Sequence, residues 1–287
     1  MCLAAIAIAR SDRFPWVLAS NRDEFFGRPA LPLAWWQPEG GGPPVLSGRD
    51  LAAGGTWLGL TEAGALALVT NVREPGRFDP GAASRGSLVL DWLRQAPGAP
   101  SVQGTREDPK LGGLSEPPRN GFNFYAADLV AGSNAGGRAS VWFSNRAAAP
   151  RYLGAGVFGL SNAALDAPWP KVTLLKQRLQ AALDDPGDAA TLAATVFEAL
   201  ADRHRAPDAQ LPSTGVPLLR ERQLSSAHIC IEDATTGTVY GTRCATVVIV
   251  ERTPPGLQAH VIERTFGPEG FVTHEVGMGW RLPASAA

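Results

Sequence analysis

Cys2 is the residue whose type and position promise the most chemistry. Methionine is trimmed from a new chain when the next side chain is small, and cysteine qualifies. The trimmed chain would open on a residue that carries a thiol and an α-amine together. A free thiol titrates near about 8.5 and an α-amine near about 7.7–8.0, so the amine can take the thiol proton around neutrality. Nucleophile and base then reside in one residue, the arrangement of an N-terminal nucleophile. The plainer reading of Cys2 is a small buried residue at the start of a strand. Its company is the polar run Asn21-Arg22-Asp23-Glu24. A carboxylate there would hold the amine and an arginine would favour the thiolate, though such a run alone reads as a solvated turn. Acyl transfer also needs donors aimed at a developing oxyanion. Side-chain amides donate without ionising, and Asn71 and Asn162 each follow an apolar run; the alternative for both is a turn residue that ends a strand.

For Cys2 to meet that polar run the chain must fold back on itself. Residues 3–9 read as a buried strand, Ser11-Asp12-Arg13 as a turn, and residues 16–19 as the return strand that leads into Asn21. Residues 27–55 are rich in Gly and Pro and read as a long excursion. Strands are expected at 56–60 and 65–70, turning at Glu62-Ala63-Gly64, and a helix at 84–95. Residues 97–120 are polar and read as a mobile loop; 122–130 and 139–145 form a further hairpin around 132–137. Asp166 is placed as the N-cap of a helix running to about residue 183, whose apolar stripe is Val172, Leu175, Leu179 and Leu183. A second helix spans 188–203, and strands return at 228–232, 239–250 and 257–264. Hairpins dominate and no βαβ repeat occurs, which favours a single α+β domain over residues 1–287 with antiparallel sheets.

Further motifs run in order along the chain: Met1-Cys2, Asn21-Arg22-Asp23-Glu24-Phe25 with Arg28-Pro29, Gly54-Gly55-Thr56-Trp57-Leu58-Gly59 and Thr70-Asn71. They continue with Arg85-Gly86, Asn120-Gly121-Phe122-Asn123, Gly159-Leu160-Ser161-Asn162, Pro168-Trp169-Pro170-Lys171 and Tyr240-Gly241-Thr242-Arg243. In these the sequence resembles the NRDE family, the Transport and Golgi Organisation protein 2-like proteins. That family is in turn similar to N-terminal nucleophile hydrolases of the choloylglycine hydrolase and penicillin acylase type. The resemblance implies a four-layer αββα sandwich. It implies Cys2 as nucleophile, Asp23 as the acid that holds the terminal amine, and Asn71 as the asparagine near the oxyanion. Asn162 matches a second active-site asparagine and Arg243 the arginine near the nucleophile. Those hydrolases place an arginine three residues before the aspartate, whereas Arg22 directly precedes Asp23. Adjacent strand residues face opposite sides, which separates Arg22 from that role. Arg22, Asn21 and Trp57 are the candidate substrate-binding residues, with Trp35-Trp36 at the rim of an apolar acyl pocket.

Composition excludes several classes. Lys+Arg and Asp+Glu number 26 and 27, so a net charge of −1 gives no reason to expect nucleic acid or an anionic membrane as partner. The 287 residues are 45% apolar, enough for a packed core, yet no apolar run is long enough to span a bilayer. No basic segment precedes the first apolar run, and three cysteines make no disulfide framework, so a cytoplasmic protein is expected. No GxxxxGK[ST], HExxH or CxxC occurs, and no GxGxxG follows an expected strand. Gly159-Leu160-Ser161-Asn162-Ala163 falls short of a GxSxG elbow, lacking the final Gly. His228, Cys230 and Cys244 are candidate soft ligands for zinc or iron, but core or surface places are plainer for them, and neither metal nor cofactor is expected.

Two readings remain. One is a cysteine amidohydrolase or acyl-transfer enzyme acting on an amide or thioester of a small hydrophobic molecule. The other is a non-catalytic protein that binds and moves a hydrophobic ligand. The resemblance links that second reading to membrane traffic, Golgi organisation, haem movement and acyl-CoA or lipid homeostasis.

Overall fold

A computed structural model describes residues 2–95, 117–133 and 139–284. In chain order the first half holds β1 (Cys2–Ile8), β2 (Trp16–Phe25), β3 (Ala30–Trp36), β4 (Val45–Asp50), β5 (Leu58–Thr61) and β6 (Ala65–Asn71). Then come α1 (Gly86–Gln95), β7 (Phe122–Asp128), the single turn α2 (Leu129–Gly132), β8 (Ser140–Ser144), β9 (Arg151–Tyr152) and β10 (Gly156–Leu160). Three helices follow, α3 (Pro170–Asp184), α4 (Ala189–Leu200) and α5 (Leu218–Gln223). Strands β11 (Cys230–Glu232), β12 (Val239–Thr253), β13 (Gly256–Phe266) and β14 (Val272–Arg281) complete the order.

The strands form two antiparallel sheets. The first runs β10-β1-β2-β12-β13-β14, with β11 beside the start of β12; the second runs β3-β4-β5-β6-β7-β8-β9. Side chains alternate across a strand, and both sheets are apolar on both faces, so each must be covered twice. Ala4, Ile6, Ile8, Trp16, Leu18, Val248 and Val250 of the first sheet meet Leu46, Leu58, Leu60, Leu66, Leu68 and Tyr125 of the second in a shared core. The other parity of the first sheet, Leu3, Ala5, Ala7, Val17, Ala19 and Val247, packs on Val172, Leu175 and Leu179 of α3 and Leu192, Val196 and Leu200 of α4. The outer face of the second sheet packs on Leu88, Val89, Trp92 and Leu93 of α1. Four layers result, helix–sheet–sheet–helix. Among the described residues no helix is long and apolar enough to cross a membrane.

Two expectations need correction. Residues 27–55 are not an excursion, for they carry β3 and β4. β3 is an edge strand with Pro32 inside it, mostly exposed and broken in register between Leu31 and Ala34, so no alternation announces it. Asp166 is not the N-cap of α3. It sits at a φ of +59°, and its carboxylate takes Gly159 N at 2.9 Å and Lys176 Nζ at 2.5 Å, while Trp169 precedes the helix. The strands at 3–9 and 16–19 do form the expected antiparallel hairpin, and β10, short and partly exposed, pairs along β1 on its other side. Most of the loop expected at 97–120, and most of the turn at 132–137, lie outside the described residues.

Candidate active site

The site forms where β1 begins and β2 ends. Cys2 pairs with Arg22, and in an antiparallel pair the nitrogen side of Cys2 then faces the step from Arg22 to Asp23. Parity sends neighbouring side chains apart. Cys2 and Arg22 continue the faces of Ala4 and Leu18 between the sheets, whereas Asp23 continues that of Val17 and Ala19 toward the helices.

Between the sheets, Cys2 opens onto a cleft of about 310 Å³ whose lining includes Arg22, Trp57, Asn71, Phe78 and Arg85. The Arg22 guanidinium lies 4.1 Å from the centre of the Trp57 ring and 3.5 Å from the Asp50 carboxylate. Asp50 also accepts from Arg28 Nε at 2.7 Å, so one acid braces two arginines. Trp57 reaches this place because position 48 is glycine: a Cβ there would stand 2.4 Å from the indole. The start of α1 crosses Gly55 as closely, with a Cβ on Gly55 meeting the Gly86 carbonyl carbon at 2.5 Å. Burial is the main influence on the Cys2 thiol and raises its pKa; Asp23 and Glu24 push the same way and Arg22 opposes them. Burial likewise draws the Arg85 pKa down, with the Cys2 and Glu24 charges acting against it.

On the helix side Asp23 is 1% exposed. Its carboxylate accepts Thr242 Oγ at 2.7 Å and its carbonyl accepts the Tyr240 hydroxyl at 3.1 Å. Thr242 is fixed in turn, its Oγ accepting Ile229 N at 2.9 Å. Gly241, beside it, has no room for a Cβ, which would stand 2.4 Å from the Ile229 carbonyl. In the same layer Arg73 forms a buried ion pair with Glu221 at 2.9 Å and lies 4.8 Å from the Trp169 ring centre. Lys171, the second residue of α3, is 3% exposed.

A polar strap ties the two sheets together beside Cys2. Thr70 Oγ donates to Ser161 O at 2.6 Å, Asn123 Nδ2 to Ala163 O at 2.9 Å, and Asn162 Nδ2 to Asn71 O at 2.8 Å. Ser161 Oγ lies 3.0 Å from the Cys2 carbonyl, which fixes the backbone of the first strand residue.

Of the residues singled out by sequence, Cys2, Arg22, Asp23, Trp57 and Asn71 line one cleft. Asn162 stands behind it, 1% exposed, and holds Asn71. Asn21 is directed elsewhere: its side chain is fully buried and donates to Leu200 O and Ala227 O, both at 2.9 Å, so it ties α4 to the sheet. Arg243 occupies the bulge between Thr242 and Cys244 and donates to Phe25 O and Arg28 O at 3.0 and 2.7 Å, clamping a turn. Trp35 and Trp36 do not reach the cleft; Trp35 packs edge-on against Trp280 and Trp36 donates to Ser47 Oγ at 2.8 Å. Sequence reasoning missed Asp50, Arg85, Thr242 and Lys171 as parts of the site, although the motifs around Arg85, Thr242 and Lys171 stood out as motifs. Among the described residues no three His, Cys, Asp or Glu side chains gather to hold a metal. Cys230 is exposed and Cys244 buried, while His228 is buried edge-on against Phe266. A larger hollow of about 500 Å³ beside α3 contains none of Cys2, Arg22, Asp23 or Asn71. The smaller cleft is the candidate site because the reactive groups converge there.

Comparison with known proteins agrees with the motif pattern. The family model described as Transport and Golgi organisation 2 matches residues 1–268. The Transport and Golgi organization protein 2 homolog of Bos taurus is 35% identical over 244 residues, covering 82% of this chain and 82% of its own length. The Mus musculus homolog is 34% identical with the same coverage of 82% on both sides. Among solved structures, a mutant conjugated bile acid hydrolase from Clostridium perfringens aligns with 97% of this chain and 92% of its own at 12% identity, with a TM-score of 0.44. A likeness that shallow says nothing about chemistry, and the four layers rest on the contacts within this chain.

Proposed function

The chain belongs to the Transport and Golgi organisation 2 family, and from that premise we propose that it is an N-terminal-cysteine amidohydrolase or acyl-transfer enzyme. Its substrate is an amide or thioester of a small hydrophobic molecule. One observation carries this reading: the β1–β2 register gives Cys2 a thiol on the cleft side and a nitrogen at the step leading to Asp23. Once Met1 is removed, that nitrogen is a basic amine held by a buried carboxylate. Three free cysteines suit a reducing compartment, and we place the protein in the cytoplasm.

The chemistry follows from the placement. The neutral amine takes the thiol proton, and the thiolate attacks the acyl carbon, forming a C–S bond while the carbonyl pair moves onto oxygen. The Asn71 amide in the cleft wall donates to that oxyanion, and Asn162 keeps Asn71 in place. Collapse expels the amine or thiol leaving group, which takes the proton back from the Cys2 ammonium. Water, or another acceptor, then repeats the attack on the thioester and releases the free thiol. Trp57 and Phe78 provide the apolar wall for the acyl group, and Arg22, stacked on Trp57, keeps a positive charge beside the thiolate.

The test has two parts. Intact mass of purified protein should show Met1 absent, and Cys2→Ala should abolish both turnover of an acyl-amide and acyl-CoA panel and labelling by a thiol-directed acylating probe. A retained Met1 in active material sinks the proposal.

A second reading draws on the raised thiol pKa, which lowers the thiolate fraction, and on Phe78, which is 70% exposed at the cleft. Under it the cleft carries haem or an acyl-CoA or lipid chain in membrane traffic, without turnover. Ligand binding that survives Cys2→Ala, in a protein inert toward the panel, would favour this carrier.

A further inference from the structure

We infer that Lys171 is a positioning residue for the Cys2 amine: its buried charge, in the same layer as Asp23, keeps that amine in the neutral form that accepts a proton. The inference rests on the N-terminal nucleophile reading above. Lys171 is 3% exposed and its Nζ has no hydrogen-bond partner among the described residues. The contrast with Lys176, five residues on, is direct, for Lys176 is partly exposed and bound to Asp166 at 2.5 Å. Burying an ammonium without a partner is costly, and nothing in the packing of α3 requires a cation there, since its sheet-facing stripe is Val172, Leu175 and Leu179.

The surrounding charges supply a reason. Asp23 from β2, Glu221 from α5, Arg73 after β6 and Cys2 from β1 act on Lys171 electrostatically, and Tyr240 of β12 faces Asp23 and Arg73. Glu221 is taken up by Arg73 at 2.9 Å and by Thr214 Oγ at 2.6 Å. On the cleft side Arg22 pairs with Asp50 and Glu24 faces Arg28 at 4.0 Å. With the thiol and the phenol neutral, the buried layer holds two acids, Asp23 and Glu221, and two bases, Arg73 and Lys171, so its charge sums to zero; Asp202, which lines the larger hollow together with Lys171 and His204, is balanced by Arg178 at 3.0 Å. A protonated terminal amine would leave it with one uncompensated positive charge in a low-dielectric space, which is disfavoured. A neutral amine leaves it balanced. So does the pair formed when the thiol proton moves to the amine, because thiolate and ammonium cancel. Lys171 therefore opposes the idle ammonium without opposing the reactive ion pair. Burial lowers its pKa to about 8, with Asp23 acting against the shift, which leaves it mostly charged at neutral pH.

The experiment follows the burst of p-nitrophenolate released when p-nitrophenyl acetate acylates Cys2, from pH 5 to 9, in wild type, Lys171→Met and Lys171→Arg. Removing the cation leaves the layer one negative charge in excess, so the amine protonates more readily. The acid limb should move up by about one pH unit, a loss of about tenfold at neutral pH that recovers at higher pH. Lys171→Arg keeps the charge and should keep the limb in place. A limb that stays put in Lys171→Met, or an equal loss in both variants at every pH, overturns the role of Lys171. If Lys171→Met does not fold, the wild-type amine is titrated directly by ¹⁵N-cysteine NMR. A pKa below the ordinary range of about 7.7–8.0 supports the inference, and one at or above it overturns it. A wild type free of Met1 that gives no burst marks a different failure, that of the nucleophile reading itself.

Discussion

Cys2 and Cys244 flank the same residue. Arg22 pairs with Cys2 across β1 and with Cys244 across β12, and parity turns both thiols to the side between the sheets. Cys2 stands at the strand end and opens onto the cleft, while Cys244 is 5% exposed beside Glu263. Burial pushes the Cys244 thiol pKa far up, with the Glu263 charge adding to the effect, and burial raises the Glu263 carboxyl as well. Glu263 is spent on structure: it accepts Leu33 N at 2.7 Å and Thr246 Oγ at 3.0 Å, which pins the edge strand β3 to the first sheet. Residue type and sheet face are therefore shared, and what separates the two thiols is enclosure and the nitrogen each residue carries. Only Cys2 can acquire a free amine, and its nitrogen faces the step that leads to the Asp23 carboxylate.

The sharpest way to break this comparison is to neutralise each acid in turn. Asp23→Asn keeps the shape and a place for Thr242 Oγ but removes the charge that holds the amine. The p-nitrophenyl acetate burst should fall by about 10²- to 10⁴-fold, the range for loss of positioned acid–base catalysis. Glu263→Gln should leave the burst near wild type. Equal losses in the two variants would show that the faces are not functionally distinct.

The next effect concerns stability. Arg73→Met leaves Glu221 buried without its cation and should cost about 3–5 kcal/mol in urea unfolding. Arg28→Met removes a partly exposed partner of Asp50 and should cost about 1 kcal/mol or less. Similar midpoints for the two would mean that the layer under Asp23 is wetter than its burial indicates.

Acid provides a third probe. His228 is buried, and desolvation, helped by the Arg203 charge, lowers its pKa to about 4. In the unfolded chain it titrates near about 6.5, so below that value the unfolded state binds the extra proton and the fold loses stability. The loss begins as pH falls through about 6.5, grows to about 3 kcal/mol and is complete near pH 4. Glu263, with its raised pKa, works in the opposite direction and is common to both proteins when wild type is compared with His228→Phe. Wild type minus variant should therefore show the histidine alone. A difference that is flat between pH 7 and 4 would place the imidazole in water.

How much of this was legible in the sequence depended on whether a feature was local. The β1–β2 pairing could be read because two apolar runs flank one turn, and it brought Cys2 to Arg22 and Asp23. The opposite faces of Arg22 and Asp23 followed from strand period alone. The helix stripe of Val172, Leu175 and Leu179 was equally local. β3 was hidden by its Pro and exposed edge, and β10 by its shortness. Asn21 and Arg243 stand outside the cleft lining for another reason. Their partners, the carbonyls of Leu200, Ala227, Phe25 and Arg28, are backbone atoms that no side-chain pattern announces. Lys171 entered the site only through the packing of α3 on β1, a contact that spans most of the chain.

The smallest effect tests the comparison at its root. Cys244→Ala removes one sulfur from a sealed place and leaves Glu263 its bonds to Leu33 and Thr246. The void is about the size of a deleted methyl group, so the cost should be about 1 kcal/mol by urea unfolding. The burst should not change, because Cys244 has neither access to the cleft nor an amine of its own. Arg22 stands between the two thiols, held by Trp57 at 4.1 Å and by Asp50 at 3.5 Å, and neither anchor involves Cys244. If the burst nevertheless fell with Cys244→Ala, the two thiols would have to be coupled, directly or through Arg22, and Cys2 would owe its reactivity to the core behind it.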